Sequence, residues 1–72
     1  MDYRFTVVFE KDEVGRIVAI CPASQGCYSD GETLDEARAN IAEAISLYVQ
    51  CRLEHGELIS EEVAAEPISV AI

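Results

Sequence analysis

Tyr3, Phe5, Val7 and Phe9 alternate with Arg4, Thr6, Val8 and Glu10. A period of two with aromatic and β-branched residues predicts a strand over residues 3–10. Lys11-Asp12-Glu13-Val14-Gly15 is a polar connection in which Gly15 can take a positive φ. Residues 16–21 then read as the return strand of a hairpin. Ile17, Val18, Ala19, Ile20 and Cys21 are apolar on both faces. Such a strand is expected to be covered on both sides, by a helix on one and a second subunit on the other. Pro22 cannot donate to a ladder and ends this strand. Residues 22–26 form a loop, residues 27–30 a short third strand, and Gly31 a turn.

The apolar period then changes to that of a helix. Leu34, Ala37, Ile41, Ala44, Ile45 and Tyr48 fall on one stripe. Asp35, Glu36, Glu43, Ser46 and Gln50 fall outside it. Thr33 with Glu36 predicts a capping box, in which the hydroxyl accepts from the Glu36 N–H and the carboxylate returns to the Thr33 N–H. Asp35 and Glu36 suit the positive end of the helix dipole. Gly56 suits the position after the helix, and His55 can meet the last carbonyls. The expected helix spans residues 34–55. Leu47 lies off the apolar stripe beside Glu43, which favours a subunit or partner contact there.

After a polar, acidic stretch over residues 57–66, Pro67 blocks further helix. Ile68, Val70 and Ile72 alternate with Ser69 and Ala71, which predicts a fourth strand. The expectation is a single α+β domain over residues 1–72, in the order β-β-β-α-β. It has a three-stranded antiparallel sheet, one helix packed on it, and a further C-terminal strand.

Composition adds a sign to the surface. Fourteen acidic against five basic residues give a formal net charge of −9. Nucleic acid and anionic membranes are disfavoured, because both are bound through Lys and Arg. A basic protein is the partner class that such a field steers in. Solubility alone is the alternative account. A 72-residue chain has a small core, so self-association into a homo-oligomer is expected to add stability. No leader or membrane span is read, and Cys21, Cys27 and Cys51 lack metal-like spacing. Reduced thiols point to the cytoplasm.

The chemistry search finds little. His55 is the one histidine, and its place at a helix end suits a cap. Cys27 precedes the helix and is either a weak candidate for a reactive thiol or a packed core residue. The glycines at 15, 26, 31 and 56 form no phosphate loop. Neither catalytic residues nor a metal site nor a cofactor is expected, and the protein is not expected to be an enzyme. An enzyme or small-ligand binder, with a pocket around Cys27 and the loop over residues 22–26, is the third-ranked alternative.

The run from Cys21 to Ile45 resembles the HicB family of bacterial and archaeal antitoxins. Pro22, Gly26, Cys27, Ser29, Gly31, Thr33, Glu36, Ala37, Asn40, Ile41, Glu43, Ala44 and Ile45 match the family pattern. Ser24-Gln25 stands where the family commonly has Leu-Pro. The resemblance implies a partial ribonuclease-H-like fold and binding to a HicA toxin, a small basic RNA-cleaving protein. Many family members continue into a DNA-binding segment. This sequence stops at Ile72, so operator binding is not expected. The family pattern itself reads as a fold signature: Gly26 and Gly31 for turns, Thr33 and Glu36 for capping, Ala37, Ile41, Ala44 and Ile45 for packing, and Asn40 for backbone contact, with Pro22 and Cys27 in and beside the loop. The partner-binding residues are expected on the outer face of the helix: Glu36, Glu43, Leu47 and Gln50. A stand-alone homo-oligomer with an interaction or regulatory role and no toxin partner is the alternative function.

Overall fold

A computed structural model describes residues 3–24, 26–59 and 63–72. Gln25 of the loop, Met1-Asp2 and residues 60–62 of the acidic stretch lie outside it. The described elements are β1 (Val8–Lys11), β2 (Ile17–Ile20), β3 (Tyr28–Gly31) and α1 (Leu34–Glu54). The strands form one antiparallel sheet in the order β1-β2-β3. This is the expected α+β arrangement through the helix.

The first turn follows its residues closely. Asp12 Oδ1 accepts from the N–H groups of Val14 and Arg16, at 3.0 and 2.8 Å. Gly15 sits at φ 88°. An Asx turn with a left-handed residue brings β2 back against β1. The ladder pairs Val8 with Ile20 and Lys11 with Ile17. β1 is therefore shorter than its alternating sequence. Residues 4–7 keep the alternation of exposed and half-buried side chains, and residues 3–7 have no strand assignment. Their partners would lie at and beyond Cys21, where β2 has ended and Pro22 follows.

One face of the sheet carries the core. Ala19, Cys21, Cys27, Ala37 and Ile41 are buried, with Phe5, Val7, Phe9, Ile17, Ala44, Ile45 and Tyr48 packed around them. Burying a side chain such as Ile41 contributes about 2 kcal/mol. Leu34, expected on this stripe, is instead exposed. It opens the helix, before the turn that meets the sheet, so no strand lies beneath it.

Gly31 is essential through space, not through φ. A Cβ there would stand 2.5 Å from the Ala37 nitrogen and 3.0 Å from the Glu36 carbonyl carbon. The expectation that Gly31 serves a turn is thus replaced by a backbone-to-backbone contact between β3 and α1. Gly26, at φ 75°, does serve the turn.

Both helix ends are closed. Thr33 Oγ1 accepts from Glu36 N–H at 3.1 Å. The reciprocal half of the capping box differs, since Glu36 Oε1 accepts from Glu32 N–H at 3.4 Å rather than from Thr33. The extended backbone at Thr33 (φ −128°, ψ 163°) leaves the Glu32 N–H facing the first turn. At the other end Gly56 is at φ 68°. Glu57 N–H donates to Arg52 C=O and Gly56 N–H to Leu53 C=O, a Schellman closure. His55 is the C-cap, and its Nδ1 lies 2.7 Å from Cys51 O, as its position foretold.

The C-terminal strand is not formed. Residues 63–72 carry no regular secondary structure and are exposed. Alternation gives a segment two faces, but a strand also needs a ladder, and none is formed by these residues among the described ones.

Three stability measurements test this account. Gly31→Ala forces β3 and α1 apart and is expected to cost about 3 kcal/mol in urea unfolding. Thr33→Ala removes the cap and is expected to cost about 1 kcal/mol. Ser24 is 1% exposed and its hydroxyl has no hydrogen-bond partner among the described residues. Ser24→Ala is expected to raise stability by about 1 kcal/mol, and a loss of that size would contradict the burial assigned to it.

Candidate functional site

The expected partner-binding residues share one helix face. Glu36, Glu43, Leu47 and Gln50 are separated by seven, four and three positions, which places them within a narrow stripe. All four are exposed, Leu47 by 60%. Asn40 and Glu54 have the same spacing and extend the stripe at the centre and the far end. Sequence reasoning omitted Glu54, although its step of four from Gln50 was available.

Asn40 shows where the stripe sits. Its Nδ2 donates to the Asp30 carbonyl at 2.8 Å. The helix face bearing Glu43 and Leu47 therefore adjoins the outer edge of β3. The contact also meets the expectation that Asn40 binds backbone.

The charges around this face are unevenly matched. Arg16 Nε is 3.1 Å from Asp30 Oδ2, and its Nη1 is 3.8 Å from Glu32 Oε1. The Asp30 hydrogen bond, followed by its charge, raises the Arg16 pKa above its ordinary value. Arg38 pairs with Asp35 at 2.7 Å, and Arg52 with Glu57 at 3.0 Å. Arg52 also lies over the Tyr48 ring, 5.3 Å from its centroid. Three of the five cations thus answer acids at the two ends of the helix. The stripe from Glu36 to Glu54 contains no cation of its own. It is an anionic strip with one large apolar side chain, Leu47, near its middle.

A second apolar surface lies on the other flank of the helix. Tyr3, Phe5, Ala42, Ile45, Val49 and Leu53 line a groove there, together with the polar Ser46 and Gln50. Phe5, Val7 and Phe9 continue it toward Ile41 and Arg38. Sequence reasoning stopped the apolar stripe at Tyr48. The steps of three, four and four from Ala42 to Leu53 carried the missing signal. α1 packs chiefly on β3 and β2. The β1 side of this flank is left open as a consequence.

The cysteines offer no chemistry that joins these surfaces. Cys21 and Cys27 are buried in the core, and Cys51 is exposed. Cys51 Sγ is 3.7 Å from His55 Nδ1, but that nitrogen also lies against the Cys51 carbonyl. Among the described residues, no three His, Cys, Asp or Glu side chains are placed to hold a metal ion. No described helix is long and apolar enough to cross a membrane.

The remaining fold-signature residues take structural positions. Pro22 is exposed at the end of β2. The following loop is closed by Ser24 N–H to Cys21 C=O, Cys27 N–H to Ser24 C=O, and Cys21 N–H to Cys27 C=O. Ala44 and Ile45 flank the buried Ala37 and Ile41.

Comparison with known proteins places this arrangement. The chain is 39% identical to a UPF0150 protein of Synechocystis sp., over 97% of this chain and 90% of that one. It is 41% identical to a UPF0150 protein of Thermoplasma acidophilum, over 88% and 91%. It is 39% identical to one of Archaeoglobus fulgidus, over 83% and 90%. No solved structure is a significant match. Residues 5–70 match the family described as the HicB-like antitoxin of the bacterial toxin–antitoxin system. With the match spanning the sheet, the helix and most of the tail, the chain belongs to the HicB-like antitoxin family.

Proposed function

We propose that this protein neutralises a basic, HicA-type RNA-cleaving toxin by covering the surface on which that toxin binds RNA. The supporting observation is the acidic stripe along α1, which carries no cation of its own, in a member of an antitoxin family. An RNA-binding surface is cationic, and an anionic strip competes for it by charge. Glu36 and Glu43 supply that charge, Leu47 supplies an apolar anchor, and Gln50 adds a hydrogen-bonding group at the rim. The role is binding without catalysis, and the free cysteines fit a cytoplasmic setting.

A second reading is a stand-alone homo-oligomer with an interaction or regulatory role and no toxin. The exposed apolar tail and the open groove beside β1 favour self-association. The two readings share Gln50, which borders the groove, whereas Glu36, Glu43 and Leu47 of the stripe do not line it.

Titrating the protein into a HicA-type toxin, with RNA cleavage followed in parallel, tests the first reading. Complex formation and loss of cleavage are expected. Glu43→Lys and Leu47→Asp are each expected to weaken the complex about tenfold or more, without loss of helix content. Raising salt to about 0.5 M is expected to weaken it further, since the contact is electrostatic and exposed. Undiminished cleavage at saturating protein would rule the reading out.

A further inference from the structure

Two cysteines meet across the last rung of the β2–β3 ladder. The register pairs Ile20 with Tyr28, so the next residues, Cys21 and Cys27, stand opposite each other. Cys21 N–H bonds Cys27 C=O at 3.1 Å, which carries the pairing one residue beyond the strands. Cys21 has the parity of Ile17 and Ala19, and Cys27 that of Ser29 and Gly31. Both thiols therefore leave the same face of the sheet, the one that packs on α1. Both belong to the core, Cys21 at 2% and Cys27 at 8% exposure. Neither functional reading above uses them.

Opposed residues of a hydrogen-bonded antiparallel pair have Cα atoms about 5.5 Å apart. Disulfides span Cα separations of about 4.4–6.8 Å, so the backbone here already stands at a bridging distance. The Cβ atoms of such a pair are about 5.5 Å apart, against about 3.8 Å in a disulfide. The two chain segments must therefore draw together by about 1–2 Å. A pair inside a ladder resists that movement. This pair lies at the ladder's end and makes only one of its two hydrogen bonds, because Cys27 N–H donates to Ser24 C=O instead. Ser24 N–H in turn donates to Cys21 C=O. The connection thus holds two free thiols side by side without joining them.

We propose that Cys21 and Cys27 are a dithiol site that hydrogen peroxide oxidises to a reversible disulfide, locking the end of β2 to the start of β3. This depends neither on the toxin nor on the oligomeric state. Cys27, the more exposed of the two, reacts first. Its sulfur, having lost its proton, attacks one peroxide oxygen; the O–O bond breaks, and hydroxide leaves and takes up a proton as water. Cys27 is then a sulfenic acid. The Cys21 sulfur attacks the Cys27 sulfur, the S–O bond breaks, and a second water leaves with the Cys21 proton. The two sulfurs have lost two electrons, and the peroxide has gained them. Cys21 needs no access to solvent, because its partner stands across the rung. The Ser24 hydroxyl, 1% exposed and without a partner among the described residues, is a spare donor in this connection for the anion that forms.

The bridge acts on a small core. Cys21 and Cys27 are two of the five buried residues of the core cluster, so a bond between them ties the sheet together where few large side chains do. It closes a ring of seven residues, Cys21 to Cys27. Restricting the unfolded chain over so short a ring lowers the unfolded fraction by about 50-fold at most. The cost of drawing the Cβ atoms together reduces this to about tenfold. The same cost makes the bond easy to reduce, so the lock opens again when a dithiol reductant is supplied.

Treating the folded full chain with hydrogen peroxide tests the site, in a Cys51→Ser background that removes the exposed thiol. Circular dichroism verifies folding before and after. The intact mass is expected to fall by two hydrogens, and neither thiol to react with N-ethylmaleimide once the protein is unfolded. Peptide mapping is expected to join Cys21 to Cys27, and dithiothreitol to reverse all three results. At a fixed urea concentration, the oxidised protein is expected to have an unfolded fraction about tenfold lower than the reduced one. Cys21→Ala in the same background leaves Cys27 without a resolving thiol, and Cys27 is then expected to advance to the sulfinic acid. Thiols that still react with N-ethylmaleimide after peroxide overturn the proposal. So does sulfinic acid at Cys27 while Cys21 is present, or a bridge that forms only in urea. An oxidised protein no more stable than the reduced one also overturns it, since the bridge then locks nothing.

Discussion

The contact between Gly31 and the first turn of α1 sets the geometry of everything else. With a Cβ-to-nitrogen separation of only 2.5 Å available, no other residue fits at that place. Ala37 and Ala19, both fully buried, carry the same close approach along the helix and into the centre of the sheet. Small residues let two backbones meet, and the Thr33 cap holds the helix start in register with the end of β3. The core is consequently thin. It consists of two alanines, two cysteines and one isoleucine, where a domain of this size would benefit from larger side chains.

A helix held so tightly on β3 and β2 has two unlike flanks. On the β3 side, Asn40 ties it to the strand edge, and the stripe from Glu36 to Glu54 faces outward with no cation of its own. On the β1 side, the helix stands off, and Phe5, Ile45, Val49 and Leu53 border an open groove. The far face of the sheet is also apolar in part. Val8, Ile20 and Tyr28 form one row across the three strands, and Tyr28 is 70% exposed. The protein thus has an acidic flank suited to a basic partner and an apolar flank suited to a neutral one.

The local signals proved reliable where a residue acts on its own neighbours. Gly15, Thr33, His55 and Gly56 each do what their chemistry indicates, because turns and caps are closed by bonds spanning a few residues. The stripe of Glu36, Glu43, Leu47 and Gln50 was legible for the same reason, since helical spacing alone puts them on one face. The second apolar stripe over Ala42, Ile45, Val49 and Leu53 was overlooked because the first stripe already satisfied the expectation of one buried face. The final strand could not be read from alternation, because a strand is a relation between two segments and its partner lies elsewhere.

The sequence by itself determined the hairpin, the helix with both of its ends, the negative charge and the family pattern, all of which depend on short-range chemistry or composition. Tertiary structure decided which residues of that pattern matter through space. It turned Gly31 from a turn residue into a packing contact, moved Leu34 from the core to the surface, and made Asn40 the clamp on one sheet edge. Among the described residues, it also left 68–72 outside the sheet. The physical reason is the same in each case: van der Waals exclusion and ladder hydrogen bonds act between segments distant in the chain, and no local pattern encodes which segments will meet.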